Sequence, residues 1–136
     1  MANGKQDQDA KKTVLIVDDN AQNLELLEVY MEDLPEARVL TAPNGIEALD
    51  RIESDRVDLV LLDIMMPKMS GFEVCKRIKS NPETRDITVI MVTALNETGD
   101  VERAAECGTD DFISKPIDRA ALVDLVRGFL ASKTEA

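Results

Sequence analysis

The sequence predicts an α/β fold, a single (βα)5 domain built on a doubly wound parallel sheet with strand order 2-1-3-4-5. Short β-branched apolar runs alternate with amphipathic segments, and the runs begin at residues 14, 39, 59, 89 and 112, which is the spacing of repeated strand-plus-helix units. Unbroken apolar runs indicate buried central strands, whereas thin runs indicate edge strands. The long runs are 14–17, 59–62 and 89–92, and the thin ones are 39–40 and 112–113.

The amphipathic segments predict five helices with recognisable starts and stops. Asn20, Asn44, Ser70 and Asp118 each stand where a side chain can cap a helix. Asn81-Pro82 ends the third helix, Gly108 ends a sparsely packed fourth helix near 97 to 107, and the last helix covers about 118 to 131. The predicted core-facing residues are Leu27, Tyr30 and Leu34, then Ile46, Leu49 and Ile52, then Phe72, Cys75 and Ile78, then Val101, Ala104, Ala105 and Cys107, and finally Leu122, Leu125, Val126 and Phe129.

Length and polarity predict one domain with two short tails. A chain of 136 residues corresponds to about one domain, and its 44% apolar content can fill one core. Residues 1–12 and 132–136 are polar and lack periodicity, so we expect flexible tails there and the domain at 13–131.

Composition excludes several classes of function. Lys plus Arg is 16 and Asp plus Glu is 27, so the net charge of −11 repels nucleic acid and anionic membranes. The chain has no histidine, which rules out histidine-based catalysis and histidine metal ligands on this chain. Cys75 and Cys107 lack metal-ligand spacing, so we expect two reduced thiols in a cytoplasmic protein, and no segment is apolar enough to span a membrane.

Five polar side chains are predicted to meet at one edge of the sheet. Asp18 and Asp19 follow the first strand, Asp63 ends the third, Thr93 ends the fourth and Lys115 follows the fifth. Taken singly, each has a structural explanation as a helix cap, a strand residue or a turn. Taken together, the clustered carboxylates require a cation, and hard oxygen ligands favour Mg²⁺ or Mn²⁺. A carboxylate, a divalent ion, a lysine and a hydroxyl suit the transfer of a phosphoryl group.

Four segments carry a resemblance to a known family. Val-Asp-Asp-Asn at 17–20, Leu-Leu-Asp-Ile-Met-Met-Pro-Lys-Met-Ser-Gly at 61–71, Val-Thr-Ala at 92–94 and Phe-Ile-Ser-Lys-Pro at 112–116 match, in order and spacing, the receiver domain of two-component response regulators. The resemblance covers essentially all of 13–131. It implies the CheY-like, flavodoxin-like form of the predicted sheet.

The resemblance implies an acidic site with Asp63 as the phosphoacceptor. Asp18 and Asp19 resemble the acidic pair that binds the metal ion together with Asp63 and the backbone carbonyl of Met65. Such a protein is not an enzyme in the usual sense, because it only takes a phosphoryl group from a phosphohistidine and loses it slowly.

Other family features fall on residues near the ends of the last two strands. Thr93 is similar to the phosphate-sensing hydroxyl, Lys115 to the ion-pair partner of the acceptor and Phe112 to the aromatic switch residue. The family also implies a cis bond between Lys115 and Pro116. In the loop before the third helix, Gly71 is expected to act through backbone geometry. The neighbouring methionines 65, 66 and 69 are expected to fill space and cover the site.

The implied partners are a histidine kinase or histidine phosphotransfer protein and a downstream output protein. A donor that presents its histidine to Asp63 is expected to dock over the mouth of the site, against Asn20, Asn23, Leu26, Pro116 and Ile117. The chain is expected to be a monomer or a weak dimer that depends on phosphorylation.

Three alternatives to a stand-alone receiver are consistent with parts of the sequence. The chain resembles both stand-alone regulators or phosphorelay shuttles and receivers within cyclic-di-GMP enzymes or hybrid kinases, so it could be a fragment of a larger protein. An aspartyl-nucleophile phosphatase is disfavoured because the required acid two residues after the nucleophile is replaced by Met65. A flavodoxin-like cofactor carrier is disfavoured because Asp18-Asp19 would repel the cofactor phosphate.

Overall fold

A computed structural model describes residues 11–93, 102 and 105–135 and contains the predicted parallel sheet. Its strands are β1 (Lys12–Val17), β2 (Ala37–Ala42), β3 (Leu59–Asp63), β4 (Thr88–Thr93) and β5 (Asp111–Ser114). All four pairings are parallel and the order is β2-β1-β3-β4-β5, which confirms the predicted order with β2 and β5 at the edges. The edge strands are longer than their thin apolar runs because backbone pairing extends into polar flanking residues.

The described helices are α1 (Ala21–Tyr30), α2 (Gly45–Ser54), α3 (Gly71–Ser80) and α4 (Arg119–Glu135), with a 3-10 turn at Met31–Asp33 after α1. The helix predicted near 97 to 107 lies mostly outside the described residues. The final helix continues past residue 131 into the segment predicted as a tail, and the Nζ of Lys133 donates to the carbonyl of Asp86 at 2.5 Å. A polar composition alone therefore did not mark the end of this helix.

The predicted caps are present at the helix starts. Asn20 accepts hydrogen bonds from the backbone N–H groups of the first turn of α1, and Asn44 and Ser70 each accept one from the third residue after them. Asp118 accepts from the N–H of Ala121 at 2.8 Å. Each cap satisfies a backbone donor that has no partner within its helix.

Helices cover both faces of the sheet and create two apolar cores. Helices α1 and α4 pack on the face that carries Ile16, Leu61 and Ile90, and α2 and α3 pack on the opposite face. The central strands are consequently apolar on both sides, as the unbroken runs predicted. Cys75 is buried in the second core and Cys107 is half-buried, and both are free thiols as expected.

Two of the core predictions need correction. Ile46 was predicted to face the core but is 53% exposed, because Gly45, Ala48 and Ile52 form the buried stripe of α2 and Ile46 lies about 100° away from Gly45 around the helix. On α4 the buried positions include Val123 and Leu130, which the sequence pattern did not identify, while Phe129 is partly buried and packs against the same core as predicted.

None of the described helices has the length and apolar character that crossing a lipid bilayer requires.

Candidate functional site

The register of the central strands brings the first and third acidic segments together. Val17 of β1 pairs with Leu62 of β3, so Asp18 and Asp63 each lie one residue beyond a paired position on neighbouring strands. Adjacent strands are about 4.8 Å apart. The carboxylates of Asp18 and Asp63 therefore lie side by side at this edge of the sheet, and Asp19 follows directly after Asp18.

The same register brings the ends of β4 and β5 to this edge. Asp63 pairs with Val92 and so lies next to the end of β4, where Thr93 is buried. Thr93 pairs with Ser114, and its carbonyl accepts the N–H of Lys115 at 2.7 Å. The Nζ of Lys115 then lies 3.6 Å from an Oδ atom of Asp63.

Three carboxylates converge at the centre of the site. One oxygen from each of Asp18, Asp19 and Asp63 lies within 4.8 Å of the others. Asp18 and Asp63 are only 2% and 5% exposed, while Asp19 is exposed. The donor set consists of hard anionic oxygens with no nitrogen or sulfur, which fits Mg²⁺ or Mn²⁺ and does not fit zinc or copper.

Burial raises the pKa of Asp63 from 3.8 to about 6, and the charge of Asp18 contributes in the same direction. The ammonium of Lys115 and a backbone hydrogen bond from Met65 lower the pKa of Asp63 but do not cancel the effect. A buried carboxylate beside another carboxylate is stabilised in its ionised form by a cation. At neutral pH the negative charge of the site is therefore not balanced unless a cation is bound.

This raised pKa predicts an unusual dependence of stability on pH when metal is chelated. Between pH 4 and 6 the folded protein holds a proton on Asp63 that the unfolded chain has lost, so stability falls as pH rises through this range and stays lower above it. We expect the free energy of unfolding in EDTA to be lower at pH 7 than at pH 5 by roughly 1 to 1.5 kcal/mol. Denaturant titrations of the wild type and Asp63→Asn check this, because the variant should lack the decrease. An equal decrease in both proteins would contradict the assignment to Asp63.

Asp18 accepts hydrogen bonds from the N-cap of α1 and from a side chain in its first turn, which sequence reasoning missed. The N–H of Asn20 donates to one carboxylate oxygen of Asp18 at 2.9 Å, and the side-chain amide of Asn23 donates to the other at 3.2 Å. From the sequence, both residues were expected to contact a docking partner, and Asn20 was also expected to cap α1. The spacing Asp-x-Asn-x-x-Asn, with the last Asn in the first turn of the helix, was the available signal.

The loop after Asp63 is shaped by backbone contacts. Gly71 begins α3 so close to β3 that a Cβ atom there would lie 2.4 Å from the carbonyl oxygen of Asp63. Lys68 has a φ of +69°, and the N–H of Met69 donates to the carbonyl of Pro67 at 2.7 Å across it. The geometric explanation of Gly71 is therefore correct.

The three methionines of this loop do not behave as one cluster. Met66 is buried and Met69 packs against the core under α2 and α3, so these two do fill space as predicted. Met65 is 64% exposed, so the prediction that all three fill space was wrong for this residue. Met65 is the second residue after the buried end of β3, in the loop that leads to α3.

The remaining predicted residues lie on α1, on β5 and in the loop that follows β5. The bond between Lys115 and Pro116 is cis, as the resemblance implied. Phe112 on edge strand β5 is 41% exposed. Leu26 on α1 is 47% exposed, and Ile117 packs partly against the core under α1 and α4.

Comparison with known proteins gives a consistent family assignment. The family model described as "Response regulator receiver domain" matches residues 14–127. The polar-differentiation response regulator DivK of Brucella anthropi is 41% identical over 88% of this chain and 96% of its own length. Response regulator PleD of Caulobacter vibrioides is 42% identical over 88% of this chain, which spans only 26% of PleD.

A solved structure adds a metal to the comparison. The receiver domain of sensor histidine kinase PA1611 from Pseudomonas aeruginosa PAO1 has 29% sequence identity and a TM-score of 0.81, and the match covers 90% of this chain and 99% of that one. That structure was determined with a magnesium ion coordinated in its active site cleft. That receiver domain therefore shares the fold described above.

Proposed function

Because this chain belongs to the family of response regulator receiver domains, we propose that it accepts a phosphoryl group from a partner's phosphohistidine onto Asp63 and thereby switches its interactions with other proteins. The convergence of Asp18, Asp19 and Asp63 beside Lys115 carries this proposal. A carboxylate of Asp63 attacks phosphorus, an O–P bond forms, and the P–N bond to the donor histidine breaks. The protein has no other catalytic activity in this proposal, and it acts in the cytoplasm.

The negative charge of Asp63 explains why its reaction requires positive charge nearby. An anionic carboxylate must approach an anionic phosphoryl group, so positive charge is required in the transition state. Lys115, 3.6 Å from Asp63, supplies one such charge. The groups that would hold Mg²⁺ or Mn²⁺ are Asp18, Asp19, Asp63 and the backbone carbonyl of Met65. When bound, the ion supplies the remaining positive charge. The hydroxyl of Thr93 would donate a hydrogen bond to the transferred phosphoryl group.

The proposed function is tested by labelling the purified protein with acetyl phosphate, a small donor that needs no docking surface. We expect stoichiometric phosphorylation with Mg²⁺ and none with EDTA. Phosphorylation of equal extent in EDTA would argue against the acidic cluster as the metal-dependent reaction centre. The complete gene sequence would show whether the domain forms a protein by itself or is part of a longer protein.

The partner that donates the phosphoryl group is proposed to dock on the α1 side of the site. Leu26 is an exposed apolar side chain there, and Pro116 with Ile117 forms the neighbouring loop. A small apolar anchor of this kind next to the reacting group suits a helical bundle that presents histidine. Asn23 contributes less to this surface than expected, since its amide donates to Asp18.

Leu26→Arg is expected to slow phosphotransfer from a protein donor at least tenfold, because a charged side chain would be buried at the interface. Labelling by acetyl phosphate should be unchanged. Ile46→Arg is the matched control, since Ile46 is 53% exposed but lies on α2 across the sheet. Rates measured with both donors check the prediction. Equal slowing by the two variants, or equal loss with both donors, would contradict the docking surface.

Phosphorylation is proposed to act through Thr93 and Phe112. Phosphoryl oxygens on Asp63 would draw the Thr93 hydroxyl inward, and the Phe112 ring, 41% exposed on the adjacent strand, would move into the space that is vacated. Burial of the ring favours this movement by about 2 kcal/mol. A change at β5 and the segment before it would then alter the surface offered to an output protein or a second copy of the domain.

Amide hydrogen exchange with and without beryllium fluoride, an unreactive phosphoryl mimic, checks this switch. In the wild type, protection should change from the loop after Asp63 through residues 93 to 115. In Phe112→Ala the change should stay near Asp63, because no ring is available to couple β5 to the site. A wild-type response confined to Asp63 and its loop would rule out the proposed path.

A further inference from the structure

The side chain of Asn23 is engaged with the acidic cluster rather than with solvent. Asn23 lies in the first turn of α1 and is half-buried. Its amide donates to an Oδ atom of Asp18 at 3.2 Å, while the N–H of Asn20 donates to the other Oδ atom at 2.9 Å. Both oxygens of this carboxylate therefore have a fixed donor, and Asp18 as a whole is 2% exposed.

The chemistry of this donor suits a site that must still attract a cation. Asp18, Asp19 and Asp63 repel one another, so an unrestrained carboxylate would turn away from the others. A lysine or arginine at position 23 would hold Asp18 but would also neutralise it. A neutral amide fixes the orientation and leaves the full negative charge available, and carboxylate oxygens have further lone pairs for a metal.

We propose that Asn23 is a positioning residue that holds Asp18 in the orientation needed to bind a divalent cation. This inference rests on the proposed function, because it assumes that the acidic cluster binds Mg²⁺ or Mn²⁺. It differs from the docking role expected from the sequence, in which Asn23 would contact only a partner protein. It also differs from a purely structural role, in which its loss would weaken the helix without changing the cluster.

Mn²⁺ affinity of the unphosphorylated protein, followed by the electron paramagnetic resonance signal of free Mn²⁺, tests the proposal. Asn23→Ala should raise the dissociation constant about three- to tenfold, which corresponds to the net contribution of one typical hydrogen bond. Gln22→Ala, one position earlier in the same helix turn, should bind as the wild type does. Leu24→Ala, which removes partly buried apolar packing from the same turn, controls for general loosening of the helix.

The possible outcomes distinguish a failure of the role proposed for Asn23 from a failure of the proposed function. An unchanged affinity in Asn23→Ala, or an equal loss in Leu24→Ala, would overturn the role of Asn23 while leaving the metal site intact. No Mn²⁺ binding by the wild type would overturn the proposed function itself. Stability measured in EDTA accompanies each variant, since only a positioning role lowers affinity beyond what partial unfolding accounts for.

Discussion

Asp63→Asn is expected to abolish phosphorylation by both small and protein donors. The amide has the shape of the carboxylate but neither its charge nor its nucleophilic oxygen. The variant should remain folded, because replacing a buried carboxylate whose pKa is already raised to about 6 removes repulsion from Asp18. Incorporation of phosphate, measured by intact mass after reaction with acetyl phosphate and Mg²⁺, checks the result.

Asp58→Asn provides a matched control for this experiment. Asp58 is also a buried carboxylate at a strand end, but it precedes β3 and accepts the N–H of Thr13 at 2.8 Å at the opposite edge of the sheet. We expect it to retain phosphorylation. Stoichiometric labelling of Asp63→Asn would show that another residue is the acceptor.

Gly71→Ala is expected to destabilise the fold by about 2 to 3 kcal/mol and to slow phosphorylation. The new Cβ would lie 2.4 Å from the carbonyl oxygen of Asp63 and 2.8 Å from the Cα of Ile64. These are backbone atoms of the strand that ends in the acceptor, so they cannot rotate away. Either α3 or the end of β3 must shift, and a shift of β3 displaces Asp63.

Gly128→Ala is the control for a glycine in a helix without such contacts. A Cβ atom at Gly128 meets nothing within 4 Å, and alanine favours a helix interior, so this variant should gain roughly 0.5 to 1 kcal/mol. Chemical denaturation of both variants measures the difference. Equal stability of the two would mean that the close approach at Gly71 can be relieved without consequence.

Local patterns predicted most of the architecture because each has a direct physical cause. Unbroken apolar runs indicated strands buried on both faces, and side-chain oxygens at Asn20, Asn44 and Ser70 marked helix starts. Topology then brought Asp18 and Asp63 together, because the carboxyl ends of parallel strands share one edge. These inferences needed no knowledge of side-chain contacts.

Features that depend on three-dimensional contact were missed. The side-chain guanidinium of Arg119 donates to both carboxylate oxygens of Asp33, at 2.7 and 3.0 Å, although the residues are 86 positions apart. Nothing in the sequence pairs two such charged residues. Ile46 was misassigned because a small residue, Ala48, occupies the buried stripe and left the apolar pattern of α2 ambiguous.

The function of Asn23 shows a third limit of sequence reasoning. A polar residue in the first turn of a helix is typical of an exposed surface, so docking was the natural expectation. Its contact with Asp18 depends on how α1 leaves β1, which the structure defines through the cap at Asn20. Short polar side chains next to the acidic cluster therefore need structural information before a role can be assigned.

Chemical trapping of the phosphorylated residue tests the central claim most directly. Borohydride reduces an aspartyl phosphate to homoserine, which peptide mass spectrometry can locate in the sequence. After reaction with acetyl phosphate and Mg²⁺, we expect homoserine at position 63 alone, and none when EDTA replaces Mg²⁺. Homoserine at Asp18 or Asp19, or trapping at Asp63 that is unaffected by EDTA, would contradict the proposed metal-dependent transfer to this residue.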